Sequence, residues 1–262
     1  CLEAKVEEYY GHTQLKPLFD GSAPRLTVLA QGDAPAATAL RVLEGETLAR
    51  ALERHEGMRV RLDGDSALKV SRNFSYDYAA KRNNLVLSHG APLMKPTQLH
   101  VAGSQEANTL AEANAGNRVF LESDFKAANG KLPWLPAWEP EQGYLRIGDA
   151  PVNLEALVGY SFDEYRLIVP KDQRITAGDL LRTDENDRQG APARANGTDL
   201  RIGSFNVLNY FTSHSSVGGA LNVLCADQAD ADSAKGCNRG AKSLEEFQLQ
   251  RAKIVNAITE MD

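Results

Sequence analysis

Apolar residues recur along this chain with two periods, one of two residues and one close to three and a half. Met58-Arg-Val-Arg-Leu62 alternates strictly, which predicts a strand with Met58, Val60 and Leu62 toward a core and Arg59 and Arg61 outside. Val6–Tyr10, Leu26–Ala30 and Leu85–Leu87 are rich in strand formers and bounded by Gly, Pro and Asp, so they predict further strands. Val152–Tyr160 and Tyr165–Val169 predict a hairpin that turns at Ser161-Phe162-Asp163. Pro133-Trp-Leu-Pro-Ala-Trp138 is excluded from a regular ladder, because proline has no backbone donor. Helical spacing is found at Leu43–Glu53, where Leu43, Leu48 and Leu52 share one side, and in the Ala-rich run Asn108–Asn117.

Beyond residue 181 the pattern changes. Arg182–Thr198 has almost no apolar residue and many turn formers, a linker composition. Arg201–Asn209 then reads as a strand, with Ile202, Ser204, Asn206 and Leu208 on one face and Gly203, Phe205, Val207 and Asn209 on the other. The last element is a helix over Ser243–Met261. Ser243 and Glu246 fit a capping box, and Phe247, Ile254, Val255, Ile258 and Met261 form its apolar stripe. Gln248, Arg251 and Lys253 leave that stripe and read as a solvated face. Residues 1–181 are thus expected to form a small barrel or sandwich, followed by a linker over 182–198 and a second domain over 199–262.

Composition narrows the class. With 42% hydrophobic and 24% charged residues the 262-residue chain is globular in type, and no run of about 18 apolar residues predicts a membrane span. A net charge of −6 excludes a broad basic grip on nucleic acid, though not a phosphodiesterase that works with a few cations. Lys81, Arg82 and Arg72 are the nearest thing to a basic patch and read as a solvated loop. Cys225 and Cys237 bracket a polar loop without a hydrophobic anchor. A disulfide there would stabilise it by about 2–3 kcal/mol and favours an oxidising compartment, with Cys1 paired upstream of this sequence.

Asn206 is the most informative polar residue, an amide set among apolar neighbours. Such an amide needs partners for both its carbonyl and its NH2 group. An Asx turn into the next loop is the plain alternative. Ser204-Phe-Asn-Val-Leu-Asn-Tyr-Phe211, with Phe247–Val255 downstream, resembles the opening of the endonuclease/exonuclease/phosphatase superfamily, most of all the extracellular nucleases of the ExeM/NucH type. Glu56-Gly-Met-Arg-Val60, Asn73-Phe-Ser-Tyr76 and Pro96-Thr97 resemble the oligonucleotide/oligosaccharide-binding (OB) barrel that precedes the nuclease domain in those enzymes.

The resemblance implies an α+β protein, an OB-like β-barrel region followed by the first strand and helix of a four-layer α/β sandwich. It implies truncation at both ends: the barrel lacks early strands before Val6–Leu15, and the metal-binding Glu falls beyond Asp262. It assigns Asn206 to the scissile phosphate and a divalent cation, Mg²⁺ or else Ca²⁺ or Mn²⁺, to the metal site. The implied activity is secreted, metal-dependent hydrolysis of DNA, endo- or exonucleolytic, with the chain inactive alone. Two other readings stay open. One is a nucleic-acid- or sugar-binding OB-like module with Phe74, Tyr76, Tyr78 and Trp134 as stacking platforms. The other is a phosphatase or lipid phosphodiesterase on the same fold. His12, His55, His89, His100 and His214 lack ligand spacing and receive no role.

Overall fold

The computed structural model describes residues 1–128, 130–136, 145–182, 197, 202–207, 210 and 244–261. It falls into two compact units, Cys1–Thr183 and Asp184–Asp262. The expected linker, apart from Arg182 and Gly197, is outside the described residues.

The first unit opens with two hairpins, β1 (Ala4–Tyr9) with β2 (His12–Pro17) and β3 (Phe19–Asp20) with β4 (Ala23–Pro24). Its main body is a mixed seven-stranded sheet. This contains β5 (Thr38–Ala39), β6 (Arg59–Leu62), β7 (Leu68–Asp77), β8 (Arg82–His89) and β9 (Val119–Ser123). A two-stranded ribbon joins β10 (Ala150–Pro151) to the later β13 (Leu180–Leu181), and β11 (Leu154–Ser161) with β12 (Glu164–Val169) completes the large sheet. The spatial order is β5-β6-β11-β12-β9-β8-β7, with β5/β6 and β12/β9 parallel and the other pairs antiparallel. Helices are few: α1 (Leu48–Arg54), the short α2 (Pro96–Leu99) and α3 (Gln105–Gly116). The unit is therefore mixed α/β with one large sheet. Its end strands β5 and β7 do not pair with each other, so the ladder by itself closes no barrel.

Period-two alternation builds the core. Val60 and Leu62, Leu68 and Val70, Leu85 and Leu87, Val119 and Leu121, Leu154, Ala156 and Val158, and Leu167 with Val169 all turn to one side and are buried in one cluster. Leu48 and Leu52 of α1 pack into the same cluster. Burying side chains of this size stabilises by roughly 1.5–3 kcal/mol each before chain entropy is set against it.

Several sequence expectations shift at their edges. Leu43 lies outside α1 and is exposed, because Thr47 caps the helix by accepting from the Arg50 amide at 3.3 Å, while 43–46 is a turn. Met58 precedes β6 and is exposed, since its amide closes the turn after α1 on the His55 carbonyl. Leu26–Ala30 is not a strand: Leu26 makes a single bridge to Leu2, and Val28 and Leu29 are exposed without ladder partners. The β11–β12 hairpin forms as expected and turns at Phe162-Asp163, both in left-handed backbone. Residues 133–136 form turns rather than a ladder; 137 and 138 lie outside the described residues.

In the second unit α4 (Leu244–Met261) matches the expected helix. Phe247 is buried and stacks on Tyr210 at 5.3 Å between centroids, but Val255 and Ile258 of the expected stripe are exposed. The more covered positions, Gln250, Ile254, Ala257 and Met261, follow Phe247 on the neighbouring side of the helix. Ser243 and the side chain of Glu246 are outside the described residues. Residues 202–207 carry no regular secondary structure and are exposed, against the expected strand. A strand forms only as a member of a ladder, and among the described residues none pairs with this segment.

Candidate functional site

The outward face of the large sheet is where charge and aromatic rings converge. Cross-strand register places Arg72 of β7 opposite Val86 of β8, Val86 opposite Phe120 of β9, Phe120 beside Arg166 of β12, and Arg166 opposite Gly159 of β11. One row thus crosses five strands. Simple alternation from Leu68 and Val70 would send Arg72 into the core. An irregularity in the ladder between Val70 and Arg72 shifts the register and turns Arg72 to the other face.

The row is held together by cation–π and polar contacts. The Arg72 guanidinium lies 5.3 Å from the Phe120 ring centre, and that of Arg166 lies 5.1 Å from it and 5.9 Å from the ring of Phe162. Glu122, buried one step along β9, accepts from Arg166 at 3.0 Å and sits 3.6 Å from Arg82. Arg118 pairs with Glu164, and Arg72 donates to the Asn84 side-chain carbonyl. Arg72 alone of these four arginines has no carboxylate within 4.0 Å among the described residues, and its buried Nε has no hydrogen-bond partner. Burial, and after it the like charge of Arg118, lowers the pKa of Arg72 from the ordinary arginine value.

This corrects the reading of Lys81, Arg82 and Arg72 as a solvated loop. Arg72 and Arg82 are strand residues engaged with Phe120 and Glu122, and only Lys81 belongs to the turn between β7 and β8. Of the expected stacking platforms, Trp134 is 1% exposed and belongs to the core, where the sheet needs a large filler. Phe74 and Tyr78 are exposed; Tyr76 donates its hydroxyl to the Ala127 carbonyl at 3.2 Å and meets Tyr78 edge-on at 5.0 Å. Phe120, Phe162, Arg166 and Glu122 were not singled out by sequence reasoning. The alternation of β9 and β12 marks Phe120, Glu122 and Arg166 as outward, but only the register brings them together, and Phe162 reaches them from the β11–β12 turn.

Asn206 is exposed in the second unit, within the segment that has no strand pairing. Cys225, Cys237 and His214 lie outside the described residues; Cys1 is a free, exposed thiol. His55 is buried with Nδ1 2.7 Å from the Ala51 carbonyl, an ordinary structural contact. Among the described residues no group of three His, Cys, Asp or Glu side chains could hold a metal ion, and no helix is long and apolar enough to cross a membrane. Magnesium demands a near-octahedral oxygen set that includes carboxylates, and one exposed asparagine does not supply it. The residues described here therefore do not fit the implied metal. Comparison with family models, curated proteins and solved structures finds no match to this chain.

Proposed function

We propose that this chain belongs to a secreted, metal-dependent nuclease acting on DNA, in which the first unit is an OB-type module that holds the nucleic acid and Asn206 contacts the scissile phosphate. The row Arg72–Val86–Phe120–Arg166 on the outer sheet face is the observation that carries the DNA-holding part, since it sets Arg72, which has no carboxylate within 4.0 Å among the described residues, beside a π surface in an otherwise acidic chain.

The OB reading has support in the chain path. β6 and β7 are joined by a single 3₁₀ turn at Gly64–Ser66, with β6 paired to β11 and β7 to β8. Val70 faces Leu87 on one side. On the other it accepts from the Gly148 amide and donates to the Asp149 carbonyl, each at 2.8 Å. A single path that is bonded along both edges in this way would join the two ends of the sheet. The turn has its own device. Asp63 accepts from the amides of Asp65 and Ser66, receives both terminal nitrogens of Arg41 at 2.8 Å, and precedes Ala67 in left-handed backbone.

The secreted location rests on the expected Cys225–Cys237 bond. The expected divalent cation would have to be held by groups other than the described residues, so no chemical step is written through it.

Steady-state DNA cleavage by the protein that carries this chain tests the proposal. Asn206→Ala should lower kcat by about a hundredfold, the effect of losing one positioned donor. Arg72→Ala should raise KM with kcat unchanged, because it removes binding made equally before and during reaction. Full turnover in a folded Asn206→Ala variant, or no DNA cleavage by the parent protein, would sink the reading.

A further inference from the structure

The geometry points to single-stranded nucleic acid as the ligand of the outer row, with an unpaired base stacked on Phe162 and a phosphate drawn to Arg72. This rests on the OB-type reading above. Phe162 is 88% exposed and occupies the first position of the β11–β12 turn at φ 54°, followed by Asp163 at φ 59°. A bulky side chain rarely adopts left-handed backbone, and glycine would make the same turn without strain. Neither the turn nor the core accounts for an aromatic ring at this place.

Its position does account for it. Phe162 stands beside the Arg166 guanidinium, which also reaches the Phe120 ring, and Arg72 lies over Phe120 as well. Planar groups therefore follow one another along the face in the order Phe162, Arg166, Phe120, Arg72. Gly159, opposite Arg166 on β11, adds no side chain to the row. Bases stack on aromatic rings and on guanidinium planes alike.

Charge decides between strand forms. Arg166 and Arg82 share Glu122, and Arg118 is paired with Glu164, which leaves Arg72 as the one of these four arginines without a carboxylate within 4.0 Å among the described residues. A duplex keeps its bases stacked inside and offers chiefly phosphates, for which this face has little uncompensated charge. An unpaired strand offers π faces as well. A neutral sugar chain would stack on Phe162 but gain nothing from Arg72.

Fluorescence anisotropy with labelled dT15, the dT15·dA15 duplex and maltohexaose as competitor tests this on the chain as it stands. The single strand should bind about tenfold tighter than the duplex, with a log–log salt slope near −1, as expected for roughly one or two neutralised phosphates. Phe162→Gly should weaken dT15 binding about tenfold while leaving the melting temperature unchanged or higher, and Arg72→Gln should flatten the salt slope. Equal affinity for the two DNA forms, unaltered binding by a folded Phe162→Gly variant, or displacement by maltohexaose overturns the single-strand inference alone. If neither DNA form binds, the DNA-holding role of the first unit fails with it.

Discussion

The two faces of the large sheet are made by the same strands and obey different rules. Leu121 and Phe120 are consecutive in β9; the first is fully buried among leucines and valines, the second lies between two guanidiniums. Asn83 and Asn84 are consecutive in β8; the first is buried against a loop, the second accepts from Arg72. The inner face needs only apolar bulk at every second position. The outer face needs particular residues brought side by side from four strands. A substitution on the inner face should therefore act on stability, and one on the outer face on binding.

The largest effect expected from this contrast is at 120/121. Leu121→Ala removes three side-chain carbons from a closed core and should cost about 2–5 kcal/mol, read from urea unfolding, with ligand affinity of the remaining folded protein intact. Phe120→Ala should cost less than Leu121→Ala, because its ring is only partly buried, yet weaken nucleic-acid binding at least as much as Arg72→Ala. If both variants lose stability equally and neither changes binding, the outer face is ordinary surface.

The difference between the faces also decides what could be read from sequence. Alternation located β6, the β11–β12 hairpin, the Leu48/Leu52 side of α1 and the helix over 244–261, since each is a local pattern of polarity. The outer row was invisible because it depends on register between strands far apart in the chain, and because the irregularity after Val70 reverses the face on which Arg72 falls. For the same reason Trp134, which lies beside prolines in sequence, read as an exposed platform although Ile175 bonds its carbonyl and the core encloses its ring. Sequence reasoning sought an asparagine with fully occupied partners at 206; within the first unit, that description fits Asn83. Asn83 donates to the Ala128 and Lys131 carbonyls and accepts from the Gly130 amide, all at 2.8 Å.

Asn83 sharpens the comparison at the second level of effect. Asn83→Ala strips three backbone groups of their partner and should cost about 2–3 kcal/mol, since each buried group left unsatisfied carries a penalty. The amides of Ala128, Gly130 and Lys131 should then exchange faster than those of the strands. Asn84→Ala should leave stability within about 1 kcal/mol and act on ligand affinity, through the freed guanidinium of Arg72. Slow, unchanged exchange at Gly130 in Asn83→Ala would mean that the loop is held by the core alone.

The smallest effect is expected at the turn between β6 and β7, where the chain passes from β6 to the strand at the far edge of the sheet. Asp63 caps the turn over Gly64–Ser66 and receives Arg41, and hydrogen bonding to Arg41 is the main cause that holds its carboxyl below the ordinary 3.8. Attraction to Arg41 and the bonds from Ser66 add to this, while burial opposes it. A carboxyl depressed on folding contributes stability that is present above its unfolded value and is lost as pH falls through its folded value. Asp63→Asn keeps the shape and an acceptor but loses the charge, so at pH 6 it should be less stable than the parent by about 1 kcal/mol. The gap should begin to narrow as pH falls below about 4 and go on narrowing as the parent's own carboxyl is protonated. Urea midpoints of both proteins across that range provide the check. A gap that stays constant down to pH 2 would show that Asp63 holds the turn by shape and not by charge, and that the turn does not depend on Arg41.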